Sequence, residues 1–288
     1  MSSIIQPYDL EKIVHISRVD HPESIGIGPR GEAYTTGTGC QVYRLDLERN
    51  TAEAFARTEA RCLGSVVDAD GNVYVAHTAG NVLRIAPGGQ ISVYATGPRG
   101  SRFLCTNYPA FDRTGNMYLS DSGEWSGTID GRIYKIPPGG GEAVLWYPEP
   151  VNTPNAVALD AEEKYLYFVE TYGASIDRIA IKADGSAGAF ERVVHMPHHV
   201  PDGIAFDEQG LLWIACHRPD KICVFDLRTR HMQTFAEDWR GAALRGPTDV
   251  AFAGPNRDIL LAASLDNLVV HRFDNVGVRG LKLNYPKI

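Results

Sequence analysis

The sequence predicts an all-β fold, a six-bladed β-propeller whose blades are four-stranded antiparallel sheets. The 288-residue chain repeats one pattern, in which a residue opening a short apolar strand is followed by a tight turn and a second strand. This opening residue, the register position, recurs at spacings of 40 to 48 residues, a period typical of propeller blades, at Glu23, Leu63, Asn107, Asn155, Asp202 and Thr248. Helix signals are nearly absent. Because the repeat covers the chain evenly, we expect a single domain over residues 1–288.

The clearest repeat unit is PDGIAFDEQGLLWIA at residues 201–215, where two apolar strands flank a turn with Asp and Gly. A third strand follows each second strand after a polar or Gly-rich turn, and it is predicted at residues 41–47, 81–85, 132–136, 176–181, 221–227 and 267–273. Residues 51–61 have a helical composition but occupy the place of an outer strand, so we predict a strand there. Residues 240–244 are a candidate for one helical turn.

The two ends of the chain are expected to complete one blade together. Residues 11–17 alternate apolar and polar side chains and precede the first register position as an outer strand would. Pairing this strand with the last strands of the sequence would close the ring and remove a sheet edge. Residues 281–285 are a candidate for a further strand of that blade. The longer link at residues 120–131 is expected to overhang one mouth of the central channel.

Composition excludes several classes of partner. The formal net charge is −7 without a basic cluster, which argues against nucleic acids and anionic membranes. Five scattered cysteines without a CxxC pair indicate reduced thiols in a cytoplasmic protein. The first ten residues lack a signal-peptide pattern, and no apolar run is long enough to span a membrane. We therefore expect a cytoplasmic protein with a small-molecule substrate, and the oligomeric state stays open.

The register positions are where we expect the chemistry. The first strand of each blade is innermost, so the residues that open these strands converge on one mouth of the channel. Glu23, Asn155 and Asp202 would bring oxygen ligands and two negative charges, which suit a hard divalent cation, Ca²⁺ above all, with Mg²⁺, Mn²⁺ or Zn²⁺ as alternatives. So few protein ligands leave room for water and substrate, as in catalytic metal sites. The alternative is that each side chain only forms a turn with local backbone.

Other residues on the mouth face are candidates for substrate contacts. His217 follows a second strand, and Arg102 is a cation near the mouth that could bind an anionic or polyhydroxy ligand. Tyr108 and Trp125 could form an apolar wall. Each of these side chains is also compatible with a simple hydrogen bond between blades. The sequence has no G-x-S-x-G elbow, so covalent catalysis by a serine is unsupported.

Three segments carry a family resemblance: PDGIAFDEQGLLWIA at 201–215, PNAVALDAEEKYLYFVET at 154–171 and TNYPAFDRTGNMYLSDSG at 106–123. At these residues the sequence resembles the senescence-marker-protein (regucalcin)/gluconolactonase family of six-bladed propellers. The resemblance implies one divalent cation held by Glu23, Asn155 and Asp202, with Asn107 contacting water or substrate. It also implies lactone hydrolysis, in which the metal polarises the ester carbonyl and Asp202 is the base for the attacking water.

Two positions depart from the family pattern. Tyr108 stands where family members often have Asp, and Cys105 stands where sugar lactonases often have Arg, with Arg102 only nearby. These departures weigh against an aldonolactone substrate. The first blade, HPESIGIGPRGEAYTTG at 21–37, is also similar to strictosidine-synthase-like propellers. Two alternatives to a lactonase therefore stay open: a lyase or condensing enzyme that uses the same mouth, and a non-catalytic propeller that binds a small molecule.

Overall fold

Six antiparallel sheets form the blades of a β-propeller in this computed structural model, which describes residues 5–288. Blade 1 comprises Pro22–Ile27, Ala33–Gly37, Gln41–Asp46 and Thr51–Arg57; blade 2 comprises Cys62–Val67, Val73–His77, Asn81–Ile85 and Ile91–Thr96; blade 3 comprises Thr106–Phe111, Met117–Asp121, Gly131–Ile136 and Val144–Val151. Blade 4 comprises Pro154–Leu159, Tyr165–Glu170, Ser175–Ile181 and Ala187–His195; blade 5 comprises Val200–Phe206, Leu211–Arg218, Lys221–Asp226 and His231–Glu237; blade 6 comprises Pro247–Ala253, Ile259–Ser264, Val270–Phe273 and Val14–Ile16. A two-residue strand, Gly141–Glu142, adds to the edge of blade 2, and Leu10–Lys12 is a single 3-10 turn.

The first strands are innermost and follow one another around the axis. Each contacts the first strand of the next blade, and the first strand of blade 6 returns to that of blade 1. This cyclic order confirms the predicted six-bladed propeller, including a strand rather than a helix at Thr51–Arg57. Among residues 5–288, no helix has the length and apolar character needed to cross a membrane.

Aspartates build the turns between the first two strands of several blades. Asp207 Oδ1 accepts the backbone N–H groups of Gln209 and Leu211, both at 2.9 Å, and Gly210 between them has a φ of 79°. Asp68 and Asp112 make the same pair of bonds in blades 2 and 3. A carboxylate that satisfies two turn amides fixes the hairpin and thereby the register of the innermost strand.

The core lies between neighbouring blades, where apolar faces of adjacent sheets meet. The fully buried ring of Trp213 packs between blades 5 and 6, with centroids 4.8 Å from Phe235 and 5.3 Å from Phe252. Its indole N–H donates to Asp207 Oδ2 at 3.0 Å, so the core residue also supports the turn aspartate. Tyr118 and Trp146, with centroids 4.9 Å apart, contribute to the corresponding cluster between blades 3 and 4.

The ring is closed by the N-terminal strand, as predicted. Val14–Ile16 pairs antiparallel with Val270–Phe273, with His15 opposite His271, and forms the outer strand of blade 6. The pairing covers the outer edge of Val270–Phe273, so blade 6 has the same four strands as the others.

The prediction of a strand at residues 281–285 is wrong. The outer position of blade 6 is already filled by Val14–Ile16, and the C-terminal segment instead runs beneath the ring, on the side away from the register positions. Leu281 N–H donates to the Phe206 carbonyl at 2.9 Å, Asn284 Nδ2 to the Phe111 carbonyl at 2.9 Å, and Ala69 N–H to the Pro286 carbonyl at 3.0 Å. We call residues 280–288 the strap, because they connect blades 5, 3 and 2.

The helical turn predicted at residues 240–244 is also not formed. The carboxylate of Asp238 accepts the backbone N–H groups of Ala242, Ala243 and Leu244 instead. The Asp238 side chain thereby satisfies backbone N–H groups that would have no partner within a helix. The segment therefore stays an irregular turn.

Acid should weaken the closure of blade 6 through His271. Burial lowers the pKa of His271 to about 3, His15 lowers it further, and the charge of Asp238 offsets this in small part. The Nε2 atom of His271 accepts the Arg245 N–H at 3.4 Å. The unfolded chain protonates this imidazole below about pH 6.5, whereas the folded chain does not. Full stability is therefore present above pH 6.5 and is lost toward pH 3, at about 1.4 kcal/mol per pH unit.

Urea unfolding at pH 7.5 and pH 4.5 measures this effect. We expect the acid-induced loss of stability to be about 2.5 kcal/mol smaller in His271→Gln than in the wild type. His231→Gln, on the exposed outer strand of blade 5, is the matched control and should follow the wild type. Equal acid sensitivity of His271→Gln and the wild type would show that His271 does not cause the acid-induced loss of stability.

Candidate active site

Three register residues converge on one mouth of the channel. Asn155 lies close enough to Asp202 to lower the pKa of its carboxyl, and the negative charge of Glu23 raises the pKa of the same group. Asn155 and Asp202 are buried, and the Glu23 side chain is 13% exposed. The propeller therefore gathers two carboxylates and an amide from blades 1, 4 and 5, although these residues are far apart in the chain.

Arg61 is the cation of this mouth, and the sequence analysis missed it. Its Nη2 lies 3.0 Å from Glu23 Oε2, and its side chain is 38% exposed. The register residue of blade 2 is the apolar Leu63, so the blade showed no polar signal at that position. Arg61 precedes the strand and reaches the mouth from there. Its Nε is buried and has no hydrogen-bond partner among the described residues.

Asp249 is a second residue that the sequence analysis missed. It follows Thr248, whose hydroxyl only links blades by donating to the Glu23 carbonyl at 2.8 Å. The fully buried Asp249 accepts the Ile25 N–H at 2.7 Å and the Val250 N–H at 2.9 Å. Burial, with a smaller contribution from Glu23, raises the pKa of Asp249 to about 7.

Tyr108 crosses the channel below these carboxylates. Its hydroxyl donates to Asp249 Oδ2 at 2.8 Å, which joins blade 3 to blade 6 on the opposite side of the ring. Blade 2, beside Tyr108, and blade 5, beside Asp249, have glycines at the equivalent positions. A Cβ on Gly64 would lie 2.6 Å from the Tyr108 Cα, and one on Gly203 would collide with Asp249. The Tyr108–Asp249 pair therefore forms the floor of the mouth.

The mouth holds more negative than positive charge. Burial raises the pKa of Glu23, and Arg61 partly offsets this rise. Burial also raises the pKa of Asp202 well above its usual range; Glu23 and Asp249 raise it further, while Arg61 and Asn155 act in the opposite direction. One guanidinium thus faces three carboxylates in a poorly hydrated space, an arrangement that a bound cation would stabilise.

The donor atoms fit a hard divalent cation. Within residues 5–288, no three His, Cys, Asp or Glu side chains form a metal-binding group by themselves, and the amide oxygen of Asn155 is a further oxygen ligand beside the two carboxylates. The amide nitrogen of Asn155 donates to Thr171 Oγ1 at 3.2 Å, and the amide oxygen is the atom that remains for a ligand. Carboxylate and amide oxygens are the ligands that Ca²⁺ and Mg²⁺ prefer.

The other predicted site residues lie at different places around the mouth. Asn107 Nδ2 donates to Ser122 Oγ at 2.8 Å, and Ser122 in turn donates to the Pro154 carbonyl at 2.7 Å. His217 lies near enough for its charge to act on Glu23, and its Nε2 is 3.4 Å from Asp266 Oδ2. Arg102 is exposed in the link between blades 2 and 3, and its role stays a prediction.

An aromatic pair joins the link that follows Asp121 to the turn after the second strand of blade 4. The Trp125 and Tyr172 rings meet edge to face with centroids 5.5 Å apart, and both are partly exposed. Trp125 lies close to Cys105, a half-buried residue that is also near Arg61 and Glu23. Burial raises the pKa of the Cys105 thiol, so it is neutral at physiological pH. This side of the mouth therefore carries aromatic surface and a neutral thiol, beside the Asp121 carboxylate that accepts the Cys105 N–H at 2.7 Å.

Known proteins share both the sequence pattern and the fold. The model of the SMP-30/gluconolactonase/LRE-like region matches residues 37–266. Lactonase drp35 from Staphylococcus haemolyticus (strain JCSC1435) is 22% identical over 246 residues, which is 80% of this chain and 74% of the relative.

Solved structures agree with this match. A gluconolactonase from Xanthomonas campestris has a TM-score of 0.77 at 17% identity, covering 93% of this chain and 89% of its own. A calcium-binding regucalcin from Agrobacterium tumefaciens has a TM-score of 0.75 at 17% identity, covering 94% and 97%. At these identities the structures show the shared propeller. Because the family model spans most of the blades, the chain belongs to the SMP-30/gluconolactonase/LRE-like family.

Proposed function

We propose that the protein is a lactonase that opens cyclic carboxylic esters with the help of one divalent cation, Ca²⁺ first. The observation that carries this proposal is the convergence of Glu23, Asn155 and Asp202 at the mouth of a propeller of this family. Relatives named lactonase and gluconolactonase support the reaction class, and a calcium-binding neighbour supports the choice of ion. Mg²⁺, Mn²⁺ and Zn²⁺ are the alternatives.

A divalent cation held by Glu23, Asn155 and Asp202 would polarise the ester carbonyl. The Asp202 carboxylate takes a proton from the attacking water as the new bond from oxygen to the carbonyl carbon forms. The bond between that carbon and the ring oxygen then breaks, and the proton passes from Asp202 to the departing oxygen. The product is a hydroxy acid. Asn155 holds Asp202 in place, and Tyr108 closes the mouth from below.

The mouth favours apolar lactones over aldonolactones. Trp125 and Tyr172 offer aromatic surface, and Cys105 offers no charge. A polyhydroxylated ring would lose hydrogen bonds to water on this side without gaining equivalent partners. An aryl or alkyl substituent on the lactone would instead cover apolar surface here.

A substrate panel with metal exchange tests the function. The panel contains an aromatic-fused lactone, an alkyl-substituted γ-lactone and an aldonolactone, assayed after exhaustive chelation and after adding back each of the four ions. We expect ring opening of the first two lactones to disappear on chelation and to return with Ca²⁺. Full activity after chelation would contradict the metal dependence. A protein that opens none of the lactones would favour the lyase, condensing-enzyme or binding-propeller alternative.

Arg61 should weaken the binding of the cation, because it is a positive charge 3.0 Å from a ligand oxygen of Glu23. We expect Arg61→Gln to bind Ca²⁺ about tenfold more tightly, which corresponds to about 1.4 kcal/mol of relieved repulsion. Calorimetric titration with Ca²⁺ alone measures this without any activity assay. Arg228→Gln, which removes an exposed charge from a turn of blade 5, should leave the affinity unchanged. Weaker or equal binding in Arg61→Gln would count against the proposed ligand set.

A further inference from the structure

The channel continues below Tyr108 as a chamber of about 140 Å³. Its upper end is the Tyr108 ring, its walls are the first strands of the blades, and its lower end is the strap at residues 281–285. Tyr108 lies deep in the molecule, yet part of its surface is accessible, since it faces open space on the axis. The chamber is separate from the carboxylates of the mouth and uses none of them.

Small side chains keep this space open. Three positions after the register residue, five blades carry short side chains that line the chamber, namely Val66, Ala110, Ala158, Ala205 and Ala251. Several of these retain accessible surface although they lie near the axis of the propeller. A larger side chain on each strand would meet those of the other blades, so the repeated small residue is what leaves the centre hollow.

Most of the chamber's wall is apolar. Its walls include Ile25, Val157, Ile204 and Val250 from four different blades. Ser65 lines one wall, and the other polar groups lie at the lower rim, where the Asn284 amide is already bonded to the Phe111 carbonyl and, at 2.7 Å, to Glu163. A cavity of this size with apolar walls does not hold ordered water well, and an engineered cavity of similar volume binds benzene.

We propose that the chamber is a binding site for an apolar group of about six carbons, which enters from the mouth past Tyr108. The ring of Tyr108 separates the two spaces, and its hydroxyl is held by one hydrogen bond, to Asp249. A ligand bound at the mouth would place an alkyl or phenyl substituent in the chamber once this ring moves aside. For a lactone substrate, an assignment that rests on the proposed function, the chamber would select rings with such a substituent.

Benzene alone tests the site without any reaction. We expect saturable binding to the wild type by NMR titration, and benzene density in the chamber of a soaked crystal. Ala158→Leu should fill the space and reduce the affinity for benzene at least tenfold. If this leucine impairs folding, Ala110→Val adds a smaller side chain to the chamber and should also weaken benzene binding. Ala54→Leu, on the exposed outer strand of blade 1, is the matched control. Absence of saturable binding, or equal binding by the filled variants, would overturn the proposal.

Entry past Tyr108 has its own readout. Tyr108→Phe keeps the ring and removes the hydrogen bond to Asp249, so benzene should exchange at least several-fold faster, measured by NMR line shape. An unchanged exchange rate would overturn this route.

Lactones provide the arm that depends on the proposed function. In Ala158→Leu the preference for a hexyl-substituted γ-lactone over the unsubstituted ring should fall about tenfold relative to Ala54→Leu. An undiminished preference would overturn the role in substrate selection. If no lactone is opened by the wild type, the proposed function fails, whereas the benzene titration still decides whether the chamber binds apolar groups.

Discussion

Replacing Asp202 with Asn should lower kcat/KM for lactone opening by about 10³-fold or more. The substitution removes the proposed proton acceptor and a charged metal ligand while keeping the size of the side chain. Its effect on folding should be the opposite. Asp202 is buried and repelled by Glu23 and Asp249, so neutralising it relieves repulsion. We expect an unchanged or higher Tm.

Steady-state kinetics with an alkyl-substituted lactone, together with thermal unfolding, measures both effects. Asp184→Asn makes the same chemical change in an exposed turn of blade 4, where the carboxylate bonds only to Ser186. It should keep wild-type activity. An Asp202→Asn variant within tenfold of the wild type would remove Asp202 from the mechanism. A variant that loses activity because it unfolds would contradict the expected relief of repulsion.

Trp213→Ala should cost about 4 kcal/mol of unfolding free energy, the largest stability effect we expect from a single substitution. The ring is fully buried between blades 5 and 6 and contacts Phe235 and Phe252. Its removal leaves a large cavity and also takes the indole N–H from buried Asp207. Both losses act where two blades meet, so neighbouring sheets cannot close over the space without moving as units.

Urea denaturation of Trp213→Ala and of Trp239→Ala compares the loss of a buried tryptophan with the loss of an exposed one. Trp239 is 78% exposed and contacts Arg240, so its removal should change stability by no more than about 0.5 kcal/mol. A loss below about 2 kcal/mol in Trp213→Ala would mean that the blades tolerate a cavity at their interface.

The repeat made the fold predictable because it is written into short-range chemistry. Asp207 and Gly210 specify a turn through bonds to their own neighbours, and Asp68 and Asp112 repeat the same pattern in blades 2 and 3. Each blade buries its first strand, and identical units can do this together in few ways other than a ring. The ring therefore follows from local signals. The register also predicted which residues would meet at the mouth, since equivalent positions of identical units become neighbours around an axis.

Arg61 and Asp249 escaped prediction because they lie off the register. Arg61 reaches Glu23 from the link before blade 2, and Asp249 is one position beyond Thr248. A β-bulge opens the first strand of all six blades, so the register is kept, but only one residue per blade was counted there and the next residue, Asp249, was left out. The strap was misjudged for another reason: its apolar residues suit a strand, and only the three-dimensional structure shows that the edge it would join is already occupied.

The joining of Val14–Ile16 to Val270–Phe273 has a consequence for synthesis on the ribosome. A nascent chain can complete blades 1 to 5 in turn, but its opening strand has no partner until the final repeat has emerged. During that interval the half-built molecule exposes hydrogen-bonding groups that a chaperone, or the same strand from another polypeptide, is able to bind. Slow release of the last repeat should therefore be the step most prone to aggregation and to exchange of the opening strand between molecules.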